Sequence, residues 1–230
     1  MSETLIHKQI IRSNAKYVRL SVNAKGEVII STPYALSPKK QNNIINDNRA
    51  WLDKQLLQFQ QHKKTYELPT SIHFPAIDRS WQIAYQPSTQ RPKLLQLNEN
   101  ELVIYGEYVN AQVVQLLKKW MLPIAKMHLY PWLREVSLSI NLPFQSIVAG
   151  NHKSQWGSCS RDKVISLSTN LLFLPEYLVK HVFIHELAHT IHFDHSKAFW
   201  DLVAKYDDNW LNNKKKLKKA DTFLPKWLKE

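Results

Sequence analysis

Hydrophobic and polar residues alternate along three short stretches near the N-terminus, residues 6–12, 17–22 and 28–32, which is the period of half-buried strands. Asn23-Ala24-Lys25-Gly26 supplies a turn between the second and third. The spacing then changes. Ile44, Ile45, Trp51, Leu52, Leu56 and Phe59 recur at helical intervals to about residue 64, and Ser37-Pro38 heads the run as N-cap and first helical residue. A second β-rich region predicts strands at 81–85, 93–97 and 102–105. From about residue 109, Val113, Leu116, Leu117, Trp120 and Met121 form an apolar helical face, which Pro123 and Pro131 are expected to kink or break. Strands at 146–149 and 164–168 bracket a segment at 151–160, and a helix runs from Pro175-Glu176 to about residue 191. Helical material continues through Trp200 and Tyr206 to the end. The pattern predicts an α+β fold, with a β-rich N-terminal region holding one long helix (1–108) and a mostly helical domain (109–230).

Composition narrows the class. A hydrophobic fraction of 44% with eight Trp in 230 residues excludes a disordered chain. A single Cys excludes an intrachain disulfide framework, and four Gly exclude an array built on glycine turns. No run approaches the roughly 18 apolar residues of a spanning helix, so no membrane partner is expected. The first eight residues lack the pattern of a secretory leader, which makes the cytoplasm the expected address. The net charge of +12 favours an anionic partner such as nucleic acid or a nucleotide, contacted non-specifically through the basic flanks.

Chemistry concentrates in one place. His185-Glu186-Leu187-Ala188-His189 is an HExxH pattern inside a predicted helix. Residues four apart share a helical face, so both imidazoles can reach one ion, and zinc accepts neutral imidazole nitrogen at roughly 2.0–2.1 Å. Glu186 is rotated by about 100° on the same turn, near the ion without binding it, where a general base takes a proton from zinc-bound water. A third protein ligand is needed. No Glu occurs between Glu186 and Glu230, so the candidate is His195, just past the helix end, with His192 as competitor one turn after His189. The spacing His185, His189, His195 is also that of metzincins, but His192 occupies their glycine position and no Met follows the motif. Asp194 and Asp201 are candidates to orient the ligand histidines.

These residues, followed by His195-Ser196 and Phe199-Trp200 and preceded by Trp156-Gly157-Ser158-Cys159-Ser160, resemble the YgjP-like metallopeptidases, compact zincins distantly related to the SprT-like proteases. The resemblance extends to residues 28–33 and to the helix with Ala50-Trp51-Leu52, and so covers most of the chain. It implies a zincin-like catalytic domain acting on a peptide or protein substrate. It also implies one Zn2+ per chain on His185, His189 and His195, with Glu186 as the base. Gln155 stands where the family usually has an Arg, which bears on an anion or backbone contact rather than on the metal.

The remaining signals are weaker. Gly150 and Gly157 mark tight backbone, and Trp156 is expected to pack behind the zinc helix. His152, Lys153, Arg161 and Tyr206 are unranked candidates for stabilising an oxyanion. Cys159 reads as a small buried hydrophobe ahead of a thiolate ligand or nucleophile. Lys214-Lys215-Lys216-Leu217-Lys218-Lys219 reads as a solvated face or as a phosphate-contacting segment with Trp210 and Trp227 for stacking. Residues 1–66 carry +7, residues 67–196 only +1 and residues 197–230 +4, which places the metal motif in a nearly neutral centre. The alternatives to a peptidase are a metal-dependent hydrolase of nucleotide phosphoanhydrides and a DNA-associated protease of the SprT-like kind. Pro175-Glu176-Tyr177 and the C-terminal helices are the candidates for shielding the site.

Overall fold

A computed structural model describes residues 7–11, 16–22, 27–62, 67–152 and 155–229. These form three small sheets and six α-helices, an α+β arrangement with a β-rich N-terminal part. The chain divides into two compact units, Met1–Tyr66 and Glu67–Glu230.

In the first unit, β1 (His7–Ile11) pairs parallel with β3 (Val28–Thr32), and β2 (Arg19–Val22) pairs antiparallel with its other side. The turn expected at residues 23–26 lies outside the described residues. Central β3 is buried along its whole length, and Val28 and Ile30 pack with Leu36, Ile45 and Leu52. The expected long helix is two, α1 (Pro38–Asp47) and α2 (Arg49–His62). Ser37 caps α1, accepting from the Lys40 amide at 3.4 Å. Asn48 leaves the helical region at φ −113° and ψ 17°, and its carbonyl accepts from the Leu52 amide to restart the turn. Neither Gly nor Pro marks this break. Trp51, read as part of the apolar face, is exposed, whereas Leu52 is buried.

The second unit opens with a sheet ordered β4-β5-β7-β6, comprising β4 (Ser71–Phe74), β5 (Arg79–Gln86), β6 (Lys93–Gln96) and β7 (Glu101–Tyr105). An aromatic cluster explains why this sheet belongs with the C-terminal half. Phe74 meets Trp81 at 5.3 Å, Trp120 at 5.8 Å and Phe173 at 5.1 Å. Trp120 lies on α3 (Asn110–Ile140), which is continuous for 31 residues despite its two prolines. Pro123 and Pro131 both sit on the exposed face. The carbonyls they leave unpaired, those of Lys119 and Met127 four residues back, also belong to exposed positions that water can satisfy.

The last sheet has the order β8-β10-β9, with β8 (Ser146–Gly150) parallel and β9 (Gly157–Cys159) antiparallel to central β10 (Val164–Ser168). A 3-10 turn, Thr169–Phe173, leads to α4 (Glu176–Ala188), followed by α5 (Lys197–Tyr206) and α6 (Trp210–Leu217). Helix α4 is buried on nearly every side, contacting α3, β9, α5 and α6. No helix among the described residues is long and apolar enough to cross a membrane.

Candidate metal centre

Helix α4 carries the HExxH residues on its last turn. It ends at Ala188, three residues earlier than the sequence pattern suggested, and His189 is the C-cap. The following turn brings His195 back over the helix. One ring nitrogen from each of His185, His189 and His195 lies within 4.8 Å of the others. Nε2 of His195 is 3.1 Å from Nε2 of His185. Two nitrogens bound at about 2.0–2.1 Å to one tetrahedral ion stand about 3.4 Å apart, so the spacing suits a shared cation.

Electrostatics keep the donors available. Burial, then the neighbouring His189 and His195, pushes the His185 imidazole down to about 3. His189 is lowered as well, chiefly by burial, against the opposing effect of its bond to the His192 carbonyl. Neutral imidazole is the form that offers a lone pair to a metal. Nδ1 of His189 donates to the His192 backbone oxygen at 2.9 Å, which fixes the tautomer and leaves Nε2 free. His192, weighed as a ligand on the premise that it remained helical, lies beyond the helix end and supplies its carbonyl. Neither Asp194 nor Asp201 is seen bonding a ring of the triad: Asp194 accepts from the Ser196 amide while its charge still reaches His189, and Asp201 pairs with Lys197 at 2.7 Å.

Phe199, fully buried on α5, is the common floor of the three rings. Its centroid is 4.9 Å from His185, 4.5 Å from His189 and 4.9 Å from His195. Trp200 stacks on His195 at 5.6 Å and on Trp210 at 5.0 Å.

Glu186 is 5% exposed, and its Oε2 has no hydrogen-bond partner among the described residues. Burial raises its carboxyl to about 8. The reason for Gly157 is local: a Cβ there would stand 2.9 Å from both Cγ and Oε1 of Glu186. The glycine of the Trp-Gly-Ser-Cys run thus makes room for the carboxylate beside strand β9. Trp156, expected behind the helix, instead lines the cavities in front of it together with His185. Cys159 is half-buried, and burial followed by the Glu186 charge lifts its thiol to about 11, which disfavours a thiolate ligand or nucleophile.

Residues 16–220 match the family model described as the YgjP-like metallopeptidase domain. The chain belongs to this family. A metal ion and peptide-bond hydrolysis are therefore the family's chemistry, and the His triad of this YgjP-like chain is a metal-competent cluster. Two solved structures also resemble it. The zymogen of Pyrococcus abyssi abylysin is 23% identical, with a TM-score of 0.35, over 40% of this chain and 90% of that one. The zymogen of Methanocaldococcus jannaschii jannalysin is 21% identical, with a TM-score of 0.34, over 40% of this chain and 93% of that one. Both are metallopeptidase zymogens. No curated protein matches the chain.

The YgjP-like chain also holds site residues that its sequence did not announce. His181, one turn before His185 and 2% exposed, bonds through Nδ1 to Asp207 Oδ2 at 2.6 Å. Asn213 and the Asn209 amide hold the same carboxylate at 3.1 Å. Lys214 and Lys218 line a cavity of about 480 Å³ with His185 and His195. A helical spacing of four from His185 was the available signal for His181; the C-terminal helices were candidates for shielding the site by position only, with no signal that singled out Lys214 or Lys218. His152 bonds to Ser166 at 2.9 Å, Arg161 sits in an exposed turn, Tyr206 lines a different cavity, and Lys153 lies outside the described residues. Trp227, considered for base stacking, is buried against Phe173.

Proposed function

We propose that the chain is a zinc-dependent metallopeptidase, with one zinc ion per chain on His185, His189 and His195 and with Glu186 as general base. The observation that carries this reading is the meeting of three imidazole ring nitrogens with the buried carboxyl of Glu186, one residue from the first of them, whose Oε2 has no hydrogen-bond partner among the described residues. Three imidazoles suit zinc, and the family is one of metallopeptidases. When bound, zinc supplies Lewis-acid polarisation of a water and of the scissile carbonyl. Glu186 takes the proton of the attacking water as its oxygen bonds to the carbonyl carbon. It then returns that proton to the amine as the C–N bond breaks. Phe199 and the His189–His192 bond hold the imidazoles in place through both steps. Strand β9, an edge strand against α4, supports the backbone of an extended substrate by β-augmentation. These groups all fall within residues 109–230, which supports that stretch as the catalytic part of a zincin-like domain.

Metal analysis combined with cleavage of a mixed peptide library tests the assignment. The wild type is expected to hold about one zinc and to cut peptides. Glu186→Gln is expected to keep the metal and lose activity by about 10²–10⁴-fold. Full activity in Glu186→Gln removes the base. A nucleotide panel run alongside separates the competing chemistry: phosphate release without peptide cleavage would replace the peptidase reading.

A further inference from the structure

The lysine run, whose charge seemed remote from the metal motif in sequence, divides in space. Lys215, Lys218 and Lys219 are exposed, and Lys216 extends over Tyr177 at 4.8 Å. Lys214 is half-buried instead, and its Nζ sits 3.6 Å above the Trp200 ring, the same ring that stacks on His195. Lys218, one helical turn on, reaches the same cavity. Trp156, Trp200 and Leu217 complete it as apolar walls. No carboxylate lines this space, and no acid pairs with either lysine among the described residues. The field of Lys214 also reaches His185, where it adds to the lowering of the imidazole.

An ammonium held on an indole face keeps N–H donors that the ring does not satisfy, and partial burial deprives them of some of their water. Opposite charge is what such a group accepts best, through a charge-assisted hydrogen bond. In a peptide that charge is a carboxylate. We propose, building on the peptidase reading above, that Lys214 with Lys218 selects substrates carrying a carboxylate beside the scissile bond. The carboxylate enters the cavity between Trp156 and Trp200, and the apolar walls cover its methylene stem. It is either the α-carboxylate of a chain end or the side chain of Asp or Glu.

Binding to zinc-loaded Glu186→Gln tests this without turnover. Matched peptides differ at one group: free against amidated C-terminus in one arm, Glu against Gln near the cleavage position in the other. One arm is expected to show roughly tenfold tighter binding of the acid. That arm names the source of the carboxylate. Adding Lys214→Met is expected to collapse the ratio towards one, while Lys214→Arg and the exposed-site control Lys215→Met retain it. Equal binding of acid and amide in both arms overturns the proposal, as does a ratio that survives Lys214→Met. Should Lys214→Met fold poorly, added salt probes the same charge on Glu186→Gln itself. The preference is expected to shrink with ionic strength, and indifference to salt overturns it. Peptide cleavage by the wild type is scored separately, so the peptidase reading and the carboxylate preference fail independently.

Discussion

On one side of the three imidazoles, α4 and β9 bury Glu186 against Gly157 so closely that a single added carbon would collide with it. On the other side, the turn before α5 presents exposed His195, and α5 and α6 present half-buried Trp200 and Lys214 around a cavity open to solvent. The first wall fixes a reacting group by packing and leaves it almost no water. The second holds charge on aromatic faces and leaves room for a ligand. On the proposed reading, positioning of the reaction and selection of the substrate fall to different elements, which lets each be perturbed without the other.

The largest effect is expected where the two walls share the metal. His195→Ala removes the proposed ligand on the open side, and both zinc content and peptide hydrolysis should fall to background by elemental analysis and assay. Chelation of the wild type should do the same, with activity restored by added zinc. Retained zinc and activity in His195→Ala would return the third-ligand role to another residue. Next in size is Gly157→Ala, which acts on the packed wall alone. Displacing Glu186 by even part of an ångström is expected to lower kcat by about 100-fold while zinc content holds. A change confined to KM would show that Gly157 serves substrate binding instead. Asp207→Ala cuts the bond between His181 on α4 and the C-cap of α5, and so tests what joins the walls. Unfolding in urea should reveal a loss of roughly 1–3 kcal/mol, the penalty of a buried donor left unpaired. The smallest effect is expected from Lys215→Met, exposed on α6, whose peptide hydrolysis should stay within about twofold of wild type.

How much of this was legible in the sequence follows the same division. The packed wall was partly readable, because His185, Glu186 and His189 sit at a spacing that only a helix makes useful, and Gly157 signalled close backbone approach. Strand β9 was missed. Three residues, Gly-Ser-Cys, are too short to show a period and have little β-propensity. The helix end was overrun because α4 is apolar on almost every side, so its periodicity carried no stop signal. The open wall was much harder to see. Lys214 differs from Lys215 only in which way α6 faces, and that depends on the turn where Asp207 gathers His181, Asn209 and Asn213. Counting charge along the chain put the lysines outside a nearly neutral centre, whereas folding returns two of them to it. The absence of a later Glu singled out His195, which the fold brings beside His185 and His189, yet the carbonyl bonded to His189 belongs to a backbone atom and leaves no trace in residue type.

The stacked column of His195, Trp200 and Trp210 also has an optical consequence. The two indoles lie 5.0 Å apart with planes only 18° from parallel, close enough for their electronic transitions to couple. Such coupling gives the pair its own near-ultraviolet circular dichroism. Because Trp200 also rests on the His195 ring, an ion held there as proposed would alter the electrostatic surroundings of one chromophore of the pair. On the proposed ligand set, the near-ultraviolet signal of the unlabelled chain is expected to follow the filling of the metal centre, readable without any substrate.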